Sequence, residues 1–225
     1  MPFDPPLADP SPSRPPKIVV FDIGNVLLRW NPRHLYRQLF DDADKMEWFL
    51  REVCTADWNL EQDRGRSWPD AVAERVALFP DWADHIRAYD ERWHETLAGP
   101  IEESVALLAS LKAAGLPVYA ITNFSAEKFA EVSARFPFMA WFDGIVVSAH
   151  ERLVKPDPAL FALFLDRFGL SAGDCVFIDD SAANVRAAEA LGMAAVHFRE
   201  GMDLAAAVAA LGVALPVQTS ISSPS

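Results

Sequence analysis

The chain has 225 residues, half of them hydrophobic, and a formal net charge of -12 at pH 7. That length carries one sizeable core, or a core with a small insertion. So acidic a surface excludes nucleic acid and anionic membrane as partners, but leaves open a small phosphorylated substrate, whose site is local.

Residues 1–16 hold prolines at 2, 5, 6, 10, 12, 15 and 16 and read as a disordered tail. No basic start is followed by an apolar stretch, so no signal peptide is expected, and no apolar run approaches the ~20 residues of a membrane span. Cys54 and Cys175 form neither a metal spacing nor a disulfide framework. Both are expected in the core of a cytoplasmic protein.

The first strand falls at 17–22 and is apolar without alternation, as suits a strand covered on both faces. It stops at Asp22, and a carboxylate there is costly unless a charged partner sits with it. From Asn31-Pro32 the character changes: helical patterns run over 33–40, 43–53, 68–79 and 81–97, without a strand-like run. Five tryptophans (Trp48, Trp58, Trp68, Trp82, Trp93) lie in this stretch and are expected in its core or against the rest of the chain. Trp30 is placed at the hinge after strand one, near the mouth of a site.

After Gly99-Pro100, helix and strand alternate. A helix at 102–114 ends at Gly115. Strands are expected at 117–122, 144–148, 175–179 and 194–198, and helices at 125–135, 157–168, 182–191 and 203–211. This order predicts an α/β fold, a Rossmann-like parallel sheet with helices on both faces. Residues 17–30 and 100–215 form its core domain, 31–99 an inserted α-helical cap, and 216–225 a second frayed tail.

In such sheets ligands bind beyond the carboxyl ends of the strands. Those ends carry Asp22, then Thr122-Asn123, then Ser148 with Lys155-Pro156 shortly after, then Asp179-Asp180. Singly, each has an ordinary structural reading as a turn, a cap or a solvated lysine. Together on one rim they suit transfer of a group to a carboxylate nucleophile. Crowded carboxylates call for a divalent cation, and Mg²⁺ suits oxygen donors. Lys155 adds positive charge at the substrate oxygens, and Thr122 with the following backbone N–H groups binds them.

The segments Phe21-Asp22-Ile23-Gly24-Asn25-Val26-Leu27, Ile121-Thr122-Asn123, Lys155-Pro156-Asp157-Pro158 and Phe177-Ile178-Asp179-Asp180-Ser181-Ala182-Ala183-Asn184, in this order, resemble the haloacid dehalogenase-like hydrolase superfamily. The nearest form is a branch with bacterial sugar-phosphate phosphatases of the glucose-1-phosphate type. The resemblance implies Asp22 as nucleophile and metal ligand, the Gly24 carbonyl as a ligand, and Thr122 and Asn123 on the phosphoryl group with Lys155 stabilising it. It implies Asp180 as a direct ligand, Asp179 as a ligand or the partner of Lys155, and Asn184 in support. The function implied is a Mg²⁺-dependent phosphatase of small phosphomonoesters, sugar phosphates favoured, acting as monomer or homodimer.

One position departs from the pattern. Most phosphatases of the superfamily carry a second Asp, the general acid/base, two residues after the nucleophile, and here Gly24 stands there. The superfamily's metal-free 2-haloacid dehalogenases also lack it, so dehalogenation is one alternative. Phe161 in place of their Tyr and Asp179-Asp180-Ser181 in place of their Ser-Ser-Asn weigh against it. A catalytically weakened binding or regulatory module is the other alternative. Trp58 to Arg66 reads as the most loop-like part of the cap, with Arg64 or Arg66 placed to reach an anionic substrate and Trp58 to stack on a sugar, or else as a plain solvated loop. The five histidines show no ligand spacing.

Overall fold

β1 (Ile18–Phe21) lies at the centre of the sheet, with all four side chains buried, in a computed structural model that describes residues 17–216. The chain then turns through Gly24-Asn25, with Asn25 left-handed at φ 54°, into a short strand, β2 (Leu28–Trp30). Next come α1 (Arg33–Tyr36), α2 (Ala43–Glu52), α3 (Ala56–Asp63), α4 (Trp68–Leu78) and α5 (Ala83–Glu91). β3 (Leu97–Pro100) closes this insertion by pairing antiparallel with β2. From there the chain alternates through α6 (Glu102–Ala113), β4 (Val118–Thr122), α7 (Ala126–Arg135) and β5 (Gly144–Val147). It continues through α8 (Ser148–Glu151), α9 (Pro158–Phe168), β6 (Cys175–Asp179), α10 (Ala182–Ala190), β7 (Ala194–His197) and α11 (Leu204–Ala210).

The main sheet is parallel, in the order β5-β4-β1-β6-β7. Alternate residues of β1 serve opposite faces. Val19 and Phe21 join one apolar cluster with Leu108, Leu111 and Val208, while Ile18 and Val20 join the other with Leu160, Phe161 and Phe164. Burial on both faces is why the strand reads as an unbroken apolar run. From β1 the chain moves to β4 and β5 on one side, then crosses back to β6 and β7 on the other. The reversal puts a crevice at the carboxyl ends of β1 and β6, where open α/β sheets bind ligands. The Phe21–Ile178 register sets Asp22 beside Asp179 there.

The α/β alternation and the helical insertion match the sequence expectation, and both cysteines are buried and free. The insertion differs in detail. Residues 81–97 are a short 3₁₀ turn, α5, a second 3₁₀ turn and the start of β3, not one helix. α1 is a single turn, and 56–63 is helical where a loop was expected. The β2–β3 pair was not anticipated, because three or four residues leave no readable period. The tails expected at 1–16 and 216–225 lie outside the described residues, Pro216 excepted.

Local chemistry explains α3. Thr55 caps it, its hydroxyl accepting from the Trp58 N–H at 3.0 Å, and Asp57 sits in the first turn. Only Trp58 and Gln62, four apart, are buried, so the helix lacks the apolar stripe by which helices are usually read. The cap residue and Gly65, two positions past its end, are the signals that could have found it.

Candidate active site

Asp22, Lys155 and Asp179 form a buried chain of charge. Lys155 Nζ lies 2.8 Å from Asp22 Oδ2 and 2.7 Å from Asp179 Oδ2, with its own side chain 1% exposed. Burial alone would lower the lysine's pKa, but the two carboxylates outweigh it and hold the ammonium charged. The Asp179 carboxylate is saturated: besides Lys155 it accepts from the Ser181 N–H at 2.8 Å and from Asn184 Nδ2 at 3.0 and 3.1 Å. Asn184 thus orients Asp179, and Asp179 orients Lys155.

Asp22 has a freer oxygen set. Its Oδ1 accepts from the Ile23 N–H at 2.7 Å, and its backbone N–H donates to Ile178, locking the strand end to β6. Burial pushes its carboxyl up to about 7 against the pull of Lys155, and Asp179 adds to the rise. Asp180 is exposed. Its carboxyl is raised by partial burial and by Asp179, with Lys155 and the Asn25 side chain opposing. One oxygen from each of Asp22, Asp179 and Asp180 falls within 4.8 Å of the others. Three carboxylates against one lysine leave two negative charges in excess. An all-oxygen donor set without imidazole or thiolate fits a hard divalent cation such as Mg²⁺.

Across the crevice, Thr122 is fully buried and its hydroxyl has no hydrogen-bond partner among the described residues, an orphan that needs a ligand oxygen. Asn123 is held from both ends. Its Oδ1 accepts from the Lys155 N–H at 2.8 Å and its Nδ2 donates to the Lys155 carbonyl at 3.0 Å, so β4 fixes the backbone that carries the lysine.

Beyond these groups opens a cavity of about 80 Å³ between sheet and insertion. Its apolar walls are Leu28, Trp30, Trp68, Trp93, Leu97 and Phe124. Its polar groups are Asn59, Asp63, Asn123 and Ser125, and Gly24 also lines it. Trp30 therefore lines the site as expected, and the hairpin of β2 and β3 supplies one wall. Trp58 does not reach it: it is buried against Trp68 and Tyr89. Neither arginine lines it. Arg64 pairs with Glu61 at 2.6 Å, and Arg66 binds the Gln62 side chain, the Trp58 carbonyl and Glu74. Sequence reading passed over Asn59 and Asp63, because it took this stretch as an irregular loop.

α3 is seated on the core at its carboxyl end. Ser148 Oγ donates to the Asp63 carbonyl at 2.6 Å and accepts from the Phe124 N–H at 2.9 Å. Trp68 Nε1 donates to Ser125 Oγ at 2.8 Å. Gly65 comes so close that an added Cβ would stand 2.8 Å from the Ala149 carbonyl oxygen, and its φ of 97° suits only glycine. Gly65→Ala is therefore expected to destabilise the protein by about 1–3 kcal/mol, measured as a lower denaturant midpoint with unchanged slope.

Comparison with known proteins agrees with this geometry. The pattern described as haloacid dehalogenase-like hydrolase matches residues 16–192, and the chain belongs to that family of hydrolases. Among its relatives, the sesquiterpene phosphatase astK of Aspergillus oryzae is 28% identical over 83% of this chain and 91% of its own. A phosphoglycolate phosphatase of Yersinia pestis is 32% identical over 61% of this chain and 58% of its own. In fold, a HAD family enzyme from Bacteroides thetaiotaomicron, solved as a magnesium complex, superposes with a TM-score of 0.69 at 19% identity, over 86% of this chain and 98% of its own. The protein is thus an enzyme of the HAD-like hydrolases with phosphatases among its relatives. No helix among the described residues is long and apolar enough to cross a membrane.

Proposed function

We propose that the protein is a Mg²⁺-dependent phosphatase of small phosphomonoesters that works through an aspartyl-phosphate on Asp22. The observation that carries this reading is the excess of carboxylate over ammonium charge beside a buried, partnerless Thr122 hydroxyl. Asp22, Asp180 and the Gly24 carbonyl would hold the cation. Asp179 belongs to the same cluster, but its bonds to Lys155, Asn184 and Ser181 suit it to positioning the lysine. When bound, the cation neutralises the carboxylates and draws charge from the phosphoryl oxygens.

The Asp22 oxygen attacks phosphorus along the axis of the departing oxygen. Lys155 and the Thr122 hydroxyl, with Asn123, bind the equatorial oxygens as negative charge gathers on them. Water then cleaves the acyl phosphate. The insertion acts as a cap that keeps bulk water from the cavity.

The aromatic and aliphatic walls suit an organic group with an apolar face. A sugar ring has such a face, and so do aryl and prenyl groups. A metal-free 2-haloacid dehalogenase is disfavoured, since three carboxylates facing one lysine repel without a cation.

A panel of phosphomonoesters assayed with Mg²⁺ tests the proposal. Phosphate release is expected with Mg²⁺, at least a hundredfold less with EDTA, and full recovery on adding the metal back. Chloride release from 2-chloropropionate without metal and no phosphate release would establish the dehalogenase instead. Neither activity would leave the binding module.

A further inference from the structure

Position 24 leaves an opening in the site. A Cβ built on Gly24 would meet nothing within 4 Å, so no side chain occupies the space two residues past the nucleophile. The same cavity is lined by Asp63, the last residue of α3, which the insertion supplies. Among the described residues its side chain makes no ion pair, unlike the neighbouring Arg64 and Arg66, which are engaged elsewhere. We propose that Asp63 is the proton donor to the leaving oxygen, supplied by the inserted helices in place of the acid missing at Gly24. This rests on the phosphatase reading above.

Three features place and tune Asp63 for that task. Its backbone is held by Ser148, and the chain after it is pressed onto Ala149 at Gly65 and clasped by Arg66 to Gln62. Its carboxyl stands at the carboxyl end of a helix, where a negative charge is disfavoured. Burial raises its pKa to about 7, with Lys155 and the Ser125 N–H opposing. Tyr89 on α5 also lies near it, and its phenol is itself held well above its ordinary range.

As Asp22 bonds to phosphorus and the ester P–O bond breaks, the Asp63 proton passes to the bridging oxygen and the alcohol leaves neutral. The Asp63 carboxylate then takes a proton from the water whose oxygen attacks phosphorus. The Asp22–phosphorus bond breaks, releasing inorganic phosphate and restoring both side chains.

The test compares two leaving groups in kcat/KM, which covers events up to formation of the aspartyl-phosphate. An alkyl phosphate needs protonation, whereas 4-nitrophenyl phosphate departs as a stable anion. Asp63→Asn is expected to lower kcat/KM about 10²–10⁴-fold for the alkyl phosphate but less than about tenfold for the nitrophenyl ester, with Asp63→Glu recovering part of the alkyl activity. A positional role would lower both together, and equal loss, or none, overturns the proposal. If Asp63→Asn does not fold, the wild type decides. The ratio of alkyl to nitrophenyl kcat/KM should fall as pH rises through about 7, since the acid must be protonated, and contributions of Asp22 and Lys155 cancel in the ratio. A flat ratio overturns the proposal. A wild type inactive on both esters with Mg²⁺ overturns the phosphatase reading and this proposal with it.

Discussion

Asp22→Asn is expected to abolish phosphate release, by about 10⁴-fold or more, while making the metal-free protein more stable at pH 8. The two effects share one cause. Asp22 sits at a strand end whose burial raises its carboxyl to about 7, from an ordinary value of 3.8. A group raised in this way favours the folded state below pH 4, and that contribution is lost as pH rises through 7. At pH 8 the folded wild type must hold the ionised carboxylate against burial and against Asp179 and Asp180. The amide carries no charge and escapes that penalty, although it gives up the attraction to Lys155. The expected gain is on the order of a few kcal/mol, or roughly 5–10 °C in Tm for a chain of this size, shrinking towards pH 4. Mg²⁺ should narrow the difference, because it binds the native wild type better than the variant. Thermal unfolding of both proteins at pH 5 and pH 8, with EDTA and with Mg²⁺, measures this.

The second large effect is expected from Lys155→Met. The lysine is the common partner of Asp22 and Asp179, and all three side chains are nine-tenths or more buried. Removing it leaves two buried carboxylates without their counter-charge. Breaking a buried pair in this way costs about 3–5 kcal/mol, against a marginal total stability. The loss should be greatest at neutral and alkaline pH and smaller at low pH, where Asp22 takes up a proton. Activity should vanish as well. Denaturant melts of wild type and Lys155→Met at pH 5 and pH 8 check the sign. An equal loss at both would mean that the packing of the buried lysine side chain, and not its charge, is what matters.

Much of this was legible in the chain itself. Unbroken apolar runs that end in polar residues marked the buried parallel strands, because burial on both faces removes the need for alternation. The helix-strand order set the sheet class, and the carboxyl-end rule gathered Asp22, Thr122, Asn123, Lys155, Asp179 and Asp180 on one rim. All but Lys155, which follows β5 and α8, lie at strand ends, so their positions follow from local pattern plus one topological rule. Phe161 was legible only as a departure from a pattern, and the structure gives it an edge-to-face contact with Phe177 in the core.

Other features were decided only by tertiary structure. That Asp179 is saturated by Lys155, Asn184 and the Ser181 N–H depends on distances between three separate elements. β2 and β3 form because residues 28–30 and 97–100 meet after an excursion of more than sixty residues, and neither is long enough to announce itself. The fate of Trp58 and Arg66 was likewise set by packing inside the insertion. Asp63 is the sharpest instance. Its place in the cavity depends on Ser148 and Ala149, about 85 residues away, which hold the end of α3 against the core. Strand-end carboxylates are placed by the backbone period of their own strand. A carboxylate on a separate helix reaches the site only through contacts that the folded chain creates.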